Sequence, residues 1–464
     1  MFFQRETIRN HIIFFKDKFK THWFIITYLA LYSIFLLFIS VLNPYCDGDT
    51  FNLMRHLKAN GFSWGNLLSF SLLQAPIALI ISFFLQTDYI MSAFLFGLFT
   101  LALTILSIYI TCFIFVKSKI IASLSAIMYS IFRCVWILHL FADDNVISVP
   151  FVFISIILLF ISMKLPAKDD YWAKSSLLLT LASISLGVAI LAHLQSIIFL
   201  PVIFLGIVLE DKDRAVKVKR LIFSAVIVLG VWLPFLTLNF IERGLKVPES
   251  FFSIENYTYQ HLSNTQHLSQ NYSIFSHNLT RLNEIINWII GFVQGAGLSF
   301  FFGIHQSQYT DYNPVRLIFH VYAWILLLIA LVPILGIFRW KEKKDLEKFQ
   351  ILCALAILSG LMYVLVYEPN VTERWIHIFP FIAFNLSIFI YPFSFSELRS
   401  NYVPLTSSFL KNLRKNFTQT VLSALRSEKS RNALYLFVYL LLCLVIIFSI
   451  VFMVLFNLFL PLGP

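Results

Sequence analysis

Two carboxylates separated by a single glycine, Asp47 and Asp49, stand in Asn43-Pro-Tyr-Cys-Asp47-Gly-Asp49-Thr-Phe, directly after a long apolar run. Carboxylates this close can share a divalent metal, or one can act as a base while the other orients it. An Asx-rich turn that only ends a helix uses the same residue types. A second acidic turn, Phe141-Ala-Asp143-Asp144-Asn145, joins two apolar runs with almost no loop. Charged residues end membrane spans everywhere, so two acidic turns at one face say more than either alone. The cationic side of a possible site begins at Arg374, in Tyr367-Glu-Pro-Asn-Val-Thr-Glu373-Arg374-Trp-Ile-His377. A guanidinium there can hold a phosphate through two parallel hydrogen bonds, with His377 one helical turn further on. A snorkelling interfacial Arg is the plainer alternative. His193 and Gln195 form a polar tip between two further apolar runs. Arg133 lies within an apolar run, where an ionised group needs a partner. Asp144 follows eleven residues later, near the same face of a continuous helix, so a structural link and a ligand contact both fit. There is no phosphate-cradling Gly-rich loop, His/Cys metal spacing or Ser nucleophile elbow.

The elements that must position these residues are apolar. Of 464 residues, 59% are hydrophobic and only 13% charged, and 51 are Phe. Ordinary soluble domains carry about 25% charged residues, so a soluble globular chain is ruled out. Apolar runs long enough to cross a bilayer recur at 22–42, 90–116, 120–141, 146–163, 176–192, 196–209, 221–240, 315–338, 349–367, 375–395 and 434–460. Arg5, Arg9, Lys16, Lys18 and Lys20 put the N-terminus in the cytoplasm, and Lys117, Lys119, Lys164, Lys168, Lys174 and the basic stretch 212–220 mark later inner loops. Parity then leaves the runs 67–85 and 285–302 interfacial or re-entrant. The pattern predicts an all-α polytopic membrane protein of about 11 transmembrane helices, with interfacial helices in the first outer loop and a large outer loop after the seventh span. On this topology both acidic turns, the His193 tip and Arg374 share the outer side.

The net charge of +11, from 35 Lys+Arg against 24 Asp+Glu, is spread through short inner loops, where it sets topology rather than marking a nucleic-acid partner. Only Cys46 of the five cysteines lies outside an apolar run, so no disulfide framework is expected. The first apolar run lacks a small-residue cleavage pattern and reads as a retained span. Three units are expected: a transmembrane catalytic module over 1–395 with outer loops 43–89 and 241–314, a basic interfacial segment over 396–433, and a last transmembrane helix over 434–464. Within the second, Leu410, Leu413, Phe417, Val421 and Leu425 recur at roughly helical spacing, which suits the inner leaflet.

Taken in order, these motifs resemble the GT-C superfamily of polytopic glycosyltransferases. The likeness runs from Asp47-Gly-Asp49 with Phe51, Leu53, Arg55, Leu57 and Gly61, through Asp143-Asp144-Asn145-Val-Ile-Ser-Val-Pro-Phe, to the hairpin Gly187-Val-Ala-Ile-Leu-Ala-His193-Leu-Gln195. It continues in Trp232-Leu-Pro234-Phe before the large outer loop and in Glu373-Arg374-Trp375 with Pro380. Where many relatives carry a Lys in the hairpin, this sequence has His193 and Gln195. The resemblance implies transfer of a sugar from a polyprenyl-phosphate carrier to a glycan, lipid or protein acceptor. It implies Asp47 as base with Asp49 second, Asp143 and Asp144 orienting acceptor or metal, and Arg374, His377, His193 and Gln195 toward the donor phosphate. No cofactor is specified by these motifs, and a divalent metal is compatible with the acid pairs. The polar loop 241–314 would face the acceptor.

A lipid or solute transporter would also be polytopic, but favours internal repeats and broken helices at mid-membrane. A lipid-linked oligosaccharide polymerase or ligase would lean on outer Arg and His more than on paired acids. A non-enzymatic assembly subunit would not need the acids. A bacterial inner membrane with the site facing the periplasm is the expected location. Sequons at Asn256, Asn271, Asn278 and Asn370 would suit an endoplasmic reticulum membrane instead.

Overall fold

The structure is a computed structural model that describes residues 22–38, 53–55, 57–59, 61–63, 72–140, 143, 145–165, 169–242, 292–302, 314–366, 372–390, 444–451 and 453. Asp47, Asp49 and Asp144 therefore lie outside the described residues, as do part of the first outer loop, most of the loop 241–314 and the whole of 396–433. Among the described residues every regular element is helical: α1 (His22–Phe38), α2 (Gln74–Leu85), α3 (Tyr89–Val116), α4 (Lys119–Ile131), α5 (Arg133–Leu140), α6 (Asn145–Lys164), α7 (Asp169–Ala192), α8 (Leu200–Leu209), α9 (Arg214–Glu242), α10 (Pro314–Leu331), α11 (Asp345–Val366) and α12 (Phe379–Ile390). Six helices are long and apolar enough to cross a membrane, or up to seven if the bent pair α4 and α5 is one span. Phe338 is 91% exposed and Phe84 74%, with many Leu, Ile and Val beside them. Such a surface is stable against lipid and not against water.

Antiparallel α6 and α7 pack along their lengths, with α9 on α7, α3 on α6 and α11 against α12. Close approach depends on small residues. A Cβ on Gly187 of α7 would lie 2.7 Å from the Val231 side chain of α9, and one on Gly360 of α11 only 2.1 Å from Ile378. At one end of the bundle stand Lys117, Lys164, the 210–220 stretch and Lys341 to Lys348, and the positive-inside rule assigns this end to the cytoplasm. At the other end stand Asp143, Asn145, His193 and Arg374. The helix α2 rises about 18 Å, too short to cross. Its start is tied to the outer end of α7 by Leu72 N and Leu73 N, which donate to Leu191 O at 2.8 and 3.2 Å.

Two expectations are corrected. The apolar run 120–141 is not one helix: Phe132 takes ψ 127° and the chain bends by 63° between α4 and α5. Neither Pro nor Gly causes the break. Tertiary contacts hold it, because Tyr32 of α1 donates its hydroxyl to the Ser130 carbonyl at 2.8 Å, Tyr28 meets Ser130 Oγ, and the Phe132 ring packs on Phe300 and Phe379. After the bend α5 runs to Leu140, and Asp143 N closes back on Leu138 O at 3.0 Å; Asp144, the suggested partner of Arg133, lies outside the described residues. The apolar run 176–192 is not a helix by itself, because α7 runs for 24 residues from Asp169.

At the basic end of the bundle, α6, α7 and α9 are locked by a buried ionic cluster. Arg220 Nη2 lies 2.8 Å from Glu210 Oε1 and 2.6 Å from Ser162 Oγ, and its Nη1 donates to Ser175 Oγ at 3.1 Å. Lys212 Nζ pairs with Glu210 Oε2 at 3.2 Å. Burial holds the Lys212 ammonium below its usual 10.5, opposed by the pull of Glu210 and aided by Arg220. Glu210→Gln keeps the shape and leaves two buried cations without a counter-charge. The expected loss is about 3–5 kcal/mol of stability, read as a fall in Tm in detergent. An unchanged Tm would mean that water already screens the cluster.

Candidate functional site

The outer end of the bundle gathers three short segments. The first is the turn into α6. Asp143, nearly fully buried, accepts from Asn145 N at 2.7 Å and Asn145 Nδ2 at 2.9 Å through Oδ1. This Asx-type turn orients the first turn of α6, so at least one carboxylate oxygen of Asp143 serves the backbone. The second is a 3-10 turn, Leu194–Phe199, between α7 and α8. His193 caps it in extended conformation, with Nδ1 accepting from Gln195 N at 3.3 Å and its carbonyl accepting from Ser196 N at 3.0 Å. Ser359 of α11 donates to Ile198 O and holds the turn from behind. The third is the 3-10 turn Thr372–Ile378, which leads into α12 and packs on α5, α6 and α11. In a 3-10 helix residues three apart eclipse, so Arg374 and His377 share one face more strictly than on an α-helix.

Direct bonds join the segments. Gln195 Nε2 donates to the Arg374 carbonyl at 2.8 Å, and Ser148 Oγ of α6 lies 2.5 Å from His377 Nε2. The imidazoles of His193 and His377 are 6.3 Å apart, with Phe199 closing over His377 at 6.1 Å. Burial, then the charge of Arg374 and then His377, press the His193 pKa well below 6.5, so this ring is uncharged at neutral pH. The guanidinium of Arg374 is on a half-buried residue, while His193, Gln195 and His377 are buried. Arg133, also buried, opens α5, which packs against the 298–302 turn and the 372–378 turn. Among the described residues no group of three or more His, Cys, Asp or Glu could hold a metal.

Five of the sequence-derived site residues thus meet at one end of the bundle: Asp143, His193, Gln195, Arg374 and His377. Asp47, Asp49 and Asp144 lie outside the described residues. Ser148 escaped the sequence reading, because a serine in an apolar run ordinarily bonds back to its own helix. The one signal for it was its place a single turn after Asn145. Chemically, the cluster offers a cation whose backbone is pinned by a neighbouring amide, beside the uncharged imidazole of His193.

The fold is GT-C-like. A crystal structure of ArnT from Cupriavidus metallidurans bound to undecaprenyl phosphate superposes with a TM-score of 0.50 at 12% identity, covering 78% of this chain and 59% of that one. Two crystal structures of the Archaeoglobus fulgidus oligosaccharyltransferase also match. The apo form has a TM-score of 0.46 at 11% identity over 79% of this chain and 50% of that one. The form tethered to an acceptor peptide has a TM-score of 0.47 at 12% identity, over 83% and 52%. This chain therefore spans little more than half the length of the proteins it superposes on. No family model matches the sequence, and no curated protein matches it.

Proposed function

We propose that this chain is a membrane glycosyltransferase that moves a sugar from a polyprenyl-phosphate carrier to a glycan, lipid or protein acceptor on the extracytoplasmic face, in a bacterial inner membrane. The observation that carries the reading is the meeting of the Arg374 segment, the His193–Gln195 turn and the acidic turn before α6 at one end of a GT-C-like bundle. The ArnT structure, solved with undecaprenyl phosphate, supports a carrier of the same chemistry.

In the proposed reaction the acceptor's nucleophilic atom attacks the anomeric carbon as the bond from that carbon to the phosphate oxygen breaks. The phosphate leaves with the electron pair as polyprenyl phosphate. Asp47 takes the acceptor proton, with Asp49 as its second, and Asp143 and Asp144 orient the acceptor or a metal. Arg374 meets the charge that grows on the departing phosphate, where a bidentate guanidinium is worth most. Gln195, His193 and His377 serve the same phosphate from beneath, by holding the Arg374 segment. The loop 241–314 is the acceptor-facing lid.

Binding tests the donor half of this reading. Undecaprenyl phosphate should raise the Tm of the full chain in nanodiscs, because a ligand of the native state stabilises by about 2.7 kcal/mol at a hundred times its Kd. Undecaprenol, which lacks the phosphate, should do so weakly. Equal shifts from both lipids would remove phosphate recognition from the account.

A further inference from the structure

Ser148 lies in the first turn of α6, fully buried in an otherwise apolar stretch. Its hydroxyl has two neighbours, the Asn145 carbonyl at 2.9 Å and His377 Nε2 at 2.5 Å. A serine hydroxyl carries one proton, and a carbonyl can only accept. With the hydroxyl proton given to Asn145 O, the second bond has to be donated by the ring, as Nε2–H to Ser148 Oγ. That leaves His377 Nδ1 as a bare lone pair. The burial of this ring agrees, since Nδ1 has no hydrogen-bond partner among the described residues. A buried acceptor left unpaired is tolerated more readily than a buried N–H.

We propose that Ser148 is a positioning residue, which fixes His377 in the neutral Nε2–H tautomer and through it fastens the acidic turn ahead of α6 to the segment that carries Arg374. The neighbouring residues make the link consequential. Asn145, whose carbonyl takes the serine proton, is itself held by Asp143, so the order of bonds runs Asp143, Asn145, Ser148, His377. Ile378, next to His377, sits against Gly360 where no side chain fits, and Gln195 grips the Arg374 carbonyl three residues back. The 372–378 turn is thereby held from α11, from the 194–199 turn and from α6. Ser148 supplies the tie to α6, the helix that begins at the acidic turn. A neutral His377 also avoids placing a second positive charge beside Arg374.

The effect on transfer rests on the proposed function, whereas the tautomer does not. Steady-state transfer by the full chain should show the donor KM rising roughly tenfold in Ser148→Ala, the scale of one buried hydrogen bond, with the acceptor KM unmoved. Ser148→Thr restores the hydroxyl and should restore the donor KM. A merely structural loss would instead reduce the amount of active enzyme and leave both KM values in place. His377→Gln retains an N–H near the Nε2 position and should be milder than His377→Ala. Ser148→Ala combined with His377→Ala should be no worse than the worse single change. Strictly additive effects, or an unchanged donor KM in Ser148→Ala, would overturn the proposal. If the wild type transfers no sugar, the functional reading fails and the 15N spectrum of histidine-labelled protein still decides the inference. The resonances lost in His377→Gln should be those of a protonated Nε2 and a bare Nδ1, and a protonated Nδ1 would contradict it.

Discussion

Replacing Asp47 with Asn is expected to lower sugar transfer by about 10²-fold or more while expression and donor binding persist. Asn keeps the size and polarity of the side chain but cannot take a proton, and a positioned general base contributes on the order of 10²–10⁴. Asp49→Asn should be milder. If the two carboxylates together hold a divalent metal, both variants fail and a chelator stops the wild type, so the pair of variants with and without chelator separates base from metal ligand. Near-normal turnover in both would exclude this loop from catalysis and favour a transporter or an assembly subunit.

The second large effect is expected at Arg374. Removing a preorganised group that stabilises developing charge costs about 10²–10³ in rate, so Arg374→Ala should lose that much in kcat/KM for the donor. Arg374→Lys keeps the charge and loses the two parallel hydrogen bonds, and should fall between. Because the Gln195 amide binds the Arg374 backbone carbonyl and not its guanidinium, Arg374→Ala leaves that bond in place and the fold should survive. Unchanged donor binding and turnover in Arg374→Ala would remove it from the site.

Much of the architecture was legible because membrane spans are written as apolar runs ended by charge. The runs 90–116 and 146–163 agree with α3 and α6 to within a residue or two, since length and hydropathy alone decide such helices. The break at Phe132 was not legible. It has neither Pro nor Gly and depends on hydroxyls of Tyr28 and Tyr32, which come from α1 about a hundred residues earlier. Local composition carries no trace of such a partner. The 3-10 form of Thr372–Ile378 was equally hidden, because its side-chain pattern suits an α-helix, and the close packing of Ile378 on Gly360 of α11 comes from a distant part of the chain. At the candidate site, charged and polar residues at span ends announced themselves. What the sequence did not disclose was the division of labour: Gln195 spends its amide on a backbone, and Asp143 spends a carboxylate oxygen on the turn into α6. Such roles follow from three-dimensional neighbours, not from residue type.

The most direct measurement of the central claim is mass spectrometry of lipid-linked sugars and surface glycans in a strain lacking this chain, complemented with the wild type or with Asp47→Asn. The account predicts that a polyprenyl-phosphate-linked sugar accumulates in the deletion, that one glycan, lipid or protein loses that same sugar, and that the wild type but not Asp47→Asn reverses both. Unchanged lipid-linked sugars and surface glycans in the deletion strain, or full rescue by Asp47→Asn, would contradict it.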